Sequence, residues 1–119
     1  MEKTKFLKIE NQIKNHPKIL RLKEFLEEFF SRYSAKFIVL FGSSAKGNYN
    51  QRSDLDLLIV TDSLKGTYFD KHLKMQEMNP GGIDFFVYST LEFERMVKEL
   101  HLIVLEALPE GIFVYDEGE

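Results

Sequence analysis

Residues 37–60, FIVLFGSSAKGNYNQRSDLDLLIV, constrain this chain more than any other stretch. They open with an uninterrupted apolar run over 37–41, of strand length and rich in β-forming side chains, the pattern of a strand buried on both faces. Gly42-Ser43 ends that run, and after ten intervening residues Asp54-Leu55-Asp56 begins a second apolar run that reaches Val60. Side chains alternate across a strand, so Asp54 and Asp56 share one face while Leu55, Leu57 and Ile59 share the other. Two carboxylates on one face of a largely apolar strand repel each other and resist burial. A cation offsets both costs.

Residues two apart on a strand have Cα atoms about 6.6 Å apart, so Asp54 and Asp56 can reach one hard cation or bracket two. Asp84 sits in a further β-rich run, 83–88, and completes an acidic set if the two strands are neighbours. The chain contains no cysteine, which excludes disulfides, thiolate metal sites and cysteine nucleophiles. His16, His72 and His101 are scattered, and each reads as a surface or helix-end residue rather than a ligand. Oxygen donors alone favour Mg²⁺ or Mn²⁺ over zinc. Gly42 lets backbone approach closely, Ser43 or Ser44 can cap a following helical turn whose N–H groups attract anions, and Lys46 adds positive charge. A phosphate seat beside metal-holding carboxylates is the equipment of phosphoryl transfer. Tyr49, Asn50 and Arg52 are weaker candidates for nucleotide or phosphate contact.

The remaining chain reads as elements that pack behind these strands. Phe6, Ile9 and Ile13 predict a short amphipathic helix over 4–14, and Asn15-His16-Pro17 interrupts it. A second helix follows, with Ile19, Leu22, Leu26, Phe29, Phe30 and Tyr33 as its apolar stripe. A loop and a modest helix around 68–78 precede the break at Asn79-Pro80-Gly81-Gly82, which leads into the strand containing Asp84. Ser89-Thr90 and Glu92 resemble a helix start, and the stripe Phe93, Met96, Val97, Leu100, Ile103, Val104 and Ala107 predicts one long helix ending near Pro109. A short fourth strand over 112–115 closes the fold.

At 119 residues the chain suits one domain spanning 1–119. Its net charge of −3 argues against broad non-specific nucleic-acid binding, which needs an excess of Lys and Arg. No apolar run approaches the ~20 residues that span a bilayer, and a cytoplasmic protein is the simple expectation.

Gly42-Ser43, ten intervening residues and Asp54-Leu55-Asp56 together resemble the signature of the polymerase-beta nucleotidyltransferase superfamily. The small size and lead-in helix resemble its minimal nucleotidyltransferase branch, and the likeness covers essentially the whole chain. The resemblance implies an α/β (α+β) fold: a mixed, twisted sheet of about four strands, helices packed mainly on one face, and the active site on the open side. It implies that Ser43 binds the triphosphate and that Asp54 and Asp56 hold the metals. Asp84 is then the third carboxylate, ligating a metal and helping to deprotonate the attacking hydroxyl. Family members often carry arginine in the Gly-Ser turn where this chain has Ser44 and Lys46, so charge is kept but a bidentate grip is not. The implied reaction is Mg-dependent transfer of a nucleoside monophosphate, AMP from ATP, onto a hydroxyl with release of pyrophosphate. Two Mg²⁺ are implied, with Mn²⁺ as a substitute. The implied partner is a helical protein of the HEPN type in a toxin–antitoxin pair, with a tyrosine as acceptor. Two alternatives stand beside this: an antitoxin that binds nucleotide and masks its partner without catalysis, and a transferase acting on a small molecule such as an aminoglycoside, for which a homodimer could supply the acceptor site.

Overall fold

In the computed structural model, which describes residues 16–47 and 54–118, the first helix begins where Pro17 requires. Proline disfavours helical geometry in the residue before it, and α1 runs from Ile19 to Arg32 (Ile19–Arg32). Leu22, Phe25, Leu26 and Phe29, spaced i, i+3, i+4 and i+7, are its fully buried residues. Phe25 lies outside the stripe expected from sequence, yet it is central, with its ring 4.8 Å from that of Phe85. The expected helix over 4–14, together with Tyr49, Asn50 and Arg52, lies outside the described residues.

The chain continues through β1 (Phe37–Phe41), a single helical turn α2 (Ser43–Lys46), β2 (Leu55–Val60), α3 (Tyr68–Glu77) and β3 (Ile83–Tyr88). It ends with α4 (Thr90–Lys98), α5 (Leu102–Ala107) and β4 (Ile112–Asp116). The four strands form one mixed sheet in the order β3-β2-β1-β4. β1 is antiparallel to both β2 and β4, whereas β2 and β3 are parallel. A parallel pair needs a crossover rather than a hairpin, and α3 is that crossover. Its start is set by a capping box in which Thr67 and Asp70 each accept the other's backbone N–H.

The larger core lies on one face, where α1 and α3 cover Ile38, Leu40, Leu57, Ile59 and Phe85. This matches the expected helical layer. The other face is partly covered as well: Val39, Phe41, Leu58 and Val60 pack with Ala107 of α5 and against Phe93 of α4 and Ile103 of α5. The near-continuous apolar reading of β1 and β2 follows from this two-sided burial.

The long helix expected over 90–107 is two helices. Leu100 adopts φ 51°, its N–H bonds the Val97 carbonyl at 3.2 Å, and the His101 N–H bonds the Met96 carbonyl at 2.9 Å. That pair of bonds is a Schellman ending, normally built on glycine. Here leucine occupies the left-handed position, so the apolar stripe runs unbroken through a real helix boundary. The His101 side chain then accepts from Ile103 N–H to start α5.

Strand directions place the end of β1 and the starts of β2 and β3 at the same edge of the sheet, which brings Gly42, Asp54, Asp56 and Asp84 to one region. Among the described residues, no helix is long and apolar enough to cross a membrane.

Candidate active site

The sheet register brings the acidic strand positions together. Asp56 pairs across the antiparallel ladder with Phe41 and across the parallel ladder with Asp84. Asp84 is exposed on the edge strand β3, and Asp54 stands one residue ahead of β2. Asp56 itself is half-buried, and its pKa is pushed up to about 6, first by burial, then by the charges of Asp84, Asp54 and Glu106. Glu106, on α5, was not a sequence candidate because it lies inside an apolar helical stripe.

Gly42 makes this packing possible. It adopts φ 77°, and a Cβ at this position would lie 2.5 Å from Asp56 Oδ2. The carboxylate thus nests against the backbone of the turn that follows β1, which only glycine permits.

Asp54 is anchored from α1. Its Oδ1 accepts from Lys18 Nζ at 2.7 Å, and the Lys18 side chain is 11% exposed against 52% for Asp54. The lysine stem lies across Gly82, where a Cβ would come within 2.6 Å of Lys18 Cδ. Gly82 therefore serves more than a tight turn: it leaves the groove that carries Lys18 to Asp54.

The two serines of the turn point in different directions. Ser43 is exposed. Ser44 is buried at 1% exposure, its hydroxyl bonded to His16 Nε2 at 2.9 Å and to the Asp54 carbonyl at 3.0 Å. The structure thus leaves Ser43 available to a phosphate and turns Ser44, which the sequence places beside it as an equal candidate, inward. Lys46 is exposed and 3.5 Å from Glu110 Oε2, a loose pair between half-exposed side chains that leaves its charge accessible.

Among the described residues, no three Asp, Glu or His side chains converge closely enough to hold an ion as they stand. Asp54 is turned to Lys18 instead. The donor set nevertheless suits a hard divalent cation, being all carboxylate, with Asp56 held in a site whose burial and neighbouring negative charges raise its pKa.

A family of proteins described as the nucleotidyltransferase domain matches residues 19–111, a span containing α1, the Gly42-Ser43 turn and all three aspartates. The chain belongs to this nucleotidyltransferase family. Two Methanocaldococcus jannaschii proteins, both named as candidate protein adenylyltransferases, are relatives. One is 46% identical over 43 residues, covering 34% of this chain and 43% of its own length. The other is 33% identical over 63 residues, covering 48% of this chain and 43% of its own length. The chain therefore aligns with less than half of either relative. A crystal structure of a candidate nucleotidyltransferase from Sulfolobus solfataricus overlays with a TM-score of 0.62 over 87% of this chain and 86% of that one, at 23% identity. At that identity the overlay shows that the nucleotidyltransferase fold is shared.

Proposed function

We propose that this nucleotidyltransferase moves AMP from ATP onto a hydroxyl of a partner protein. The observation that carries the reading is the direct pairing of Asp56 with Asp84 beside Gly42, in a site that raises the pKa of Asp56 to about 6. Such a site favours positive charge, and phosphoryl transfer is the chemistry that brings cations and phosphate together. A protein acceptor is supported by the names of the two relatives, and a helical toxin of the HEPN type with an acceptor tyrosine by the family resemblance.

In this reading Asp54, Asp56 and Asp84 would hold two Mg²⁺. Bound there, the ions would align the attacking and leaving oxygens and neutralise charge developing on the phosphate. The chain's own groups do the rest. Ser43 and the backbone around Gly42 seat the triphosphate, with Lys46 adding charge at the rim. Asp84, the exposed member of the acidic pair, accepts the proton of the incoming hydroxyl. The hydroxyl oxygen forms a bond to the α-phosphorus, the bond from that phosphorus to the bridging oxygen of the β-phosphate breaks, and pyrophosphate leaves. Lys18, paired to Asp54 at 2.7 Å, holds that carboxylate in place at the site.

The test is incubation with α-labelled ATP, Mg²⁺ and a HEPN-type helical protein, the proposed acceptor. Label should appear on that protein, and Asp84→Asn and Asp56→Ala should each lower the rate by about a hundredfold or more. An unlabelled partner in a complex that forms with both proteins folded would overturn protein adenylylation. If Asp56→Ala still neutralises the partner, masking without catalysis is the better account.

A further inference from the structure

Among the buried polar residues that the proposed chemistry leaves without a role, His16 lies nearest the acidic site through its bond to Ser44. It is 2% exposed, although histidine before a proline at a helix start is expected at the surface. Its ring is oriented at both nitrogens. Nδ1 accepts from the Lys18 backbone N–H at 3.0 Å. A neutral ring accepting at Nδ1 carries its hydrogen on Nε2, so Nε2 is the donor in the 2.9 Å bond to Ser44 Oγ. The Ser44 hydroxyl then donates to the Asp54 carbonyl at 3.0 Å. Burial, and next the Lys18 charge, lower the His16 pKa, in keeping with a neutral ring.

The position of this relay matters more than its burial. The β1–β2 ladder ends at the pair Phe41 and Asp56. β1 ends at Phe41 and β2 begins at Leu55, so the ladder does not set the distance between the turn at Gly42 and Asp54. The Ser44–Asp54 bond spans that gap, and His16 fixes the rotamer of the serine that makes it. The stretch leading into α1 therefore meets Asp54 twice: Lys18 holds its carboxylate, and His16 acts through Ser44 on its carbonyl.

We propose that His16 is a positioning residue of the transfer reaction, setting through Ser44 the separation between the phosphate-seating turn and Asp54. The proposal rests on the nucleotidyl-transfer reading. Misplacing reacting groups by about 1 Å can cost a hundredfold in rate. A group that acts only on this separation lowers turnover more than nucleotide affinity.

Pyrophosphate release from ATP is measured with Mg²⁺ and an excess of the HEPN-type helical protein proposed as acceptor, for the wild type, His16→Ala, His16→Asn, His16→Gln, Ser44→Ala and the His16→Ala/Ser44→Ala double variant. His16→Ala and Ser44→Ala should each lower kcat by about tenfold or more while KM for ATP stays within about threefold. The double variant should be no slower than the slower single one, because both changes break the same relay. Glutamine places an amide N–H where Nε2 stood and should restore kcat to within about threefold of wild type. Asparagine keeps an acceptor for the Lys18 N–H but cannot reach Ser44, and should behave like alanine. If His16→Ala fails to fold, as read by thermal melting, His16→Asn and Ser44→Ala carry the comparison. An unchanged kcat, multiplicative losses in the double variant, or no rescue by glutamine would each overturn the positioning role while the transfer reading stands. A wild type that releases no pyrophosphate overturns that reading, and the role of His16 falls with it.

Discussion

Asp56→Asn should make the fold more stable while sharply lowering turnover. The half-buried carboxyl of Asp56 has its pKa raised from 3.8 to about 6, by burial first and then by Asp84, Asp54 and Glu106. A folded-state pKa above the unfolded one means that the group's contribution is fully present below the unfolded pKa and is lost as pH rises through the folded pKa. Stability should therefore fall between about pH 4 and pH 7 on account of this residue. A shift of about two units corresponds to about 3 kcal/mol without solvent screening, and half-exposure reduces that to about 1–2 kcal/mol. Asparagine keeps the shape and removes the charge. At about pH 8 the variant should gain about 1–2 kcal/mol, roughly 3–6 °C in Tm per kcal/mol for a domain of this size, and at about pH 4 the advantage should vanish. Urea or thermal unfolding at both pH values, without divalent cations, measures it. The same Asp56→Asn protein should lose about a hundredfold or more in kcat. If it is no more stable than wild type at the higher pH, the cost inferred for ionising Asp56 in this site does not exist in solution.

Other expectations follow from neighbouring geometry. Gly42→Ala places a Cβ 2.5 Å from Asp56 Oδ2 at φ 77° and should cost about 1–3 kcal/mol in urea unfolding, with part of the loss recovered when Asp56 is also truncated to alanine. Lys18→Met keeps the stem across Gly82 but removes the ammonium from Asp54, and should tighten Mn²⁺ binding by up to about fivefold at low salt, as read by calorimetry; weaker binding would show that Lys18 assists the cation rather than competing with it. Leu100→Gly relieves a left-handed leucine that is 67% exposed and has little packing to lose, so it should raise the urea midpoint by the equivalent of about 0.5–1 kcal/mol.

What could be read from the sequence was local. The apolar runs that became β1 and β2 announce themselves by composition, and the alternation within β2 places Asp54 and Asp56 on a common face without knowledge of any partner strand. Pairing Asp56 with Asp84 needed one further assumption, that the two strands are neighbours, which the parallel register meets. The failures have physical causes. Leu100 hid a helix end because a leucine took the conformation that glycine usually signals. Ser43 and Ser44 could not be told apart because what separates them is His16, 28 residues from Ser44 in sequence and joined to it only by the fold. Lys18 meets Asp54 across 36 residues, and Glu106 reaches Asp56 only because α5 packs on the second face.

These long-range arrivals determine how the site can change state. Lys18 partly balances the acidic cluster, but its partner Asp54 is half-exposed, and ion pairs of that kind contribute about 0.2–1 kcal/mol. The cost of ionising Asp56, set by burial first and then by Asp84, Asp54 and Glu106, is larger, about 1–2 kcal/mol after screening. One ammonium at the edge offsets only part of that cost, and a divalent cation held by several of these carboxylates, as proposed, would offset more. Such an exchange would need only side-chain movement, since the Asp54 carbonyl is held separately by Ser44. Lys18 is thus well suited to keep Asp54 ordered before loading and to yield it on loading, while His16 and Ser44 keep the strand start where the chemistry needs it.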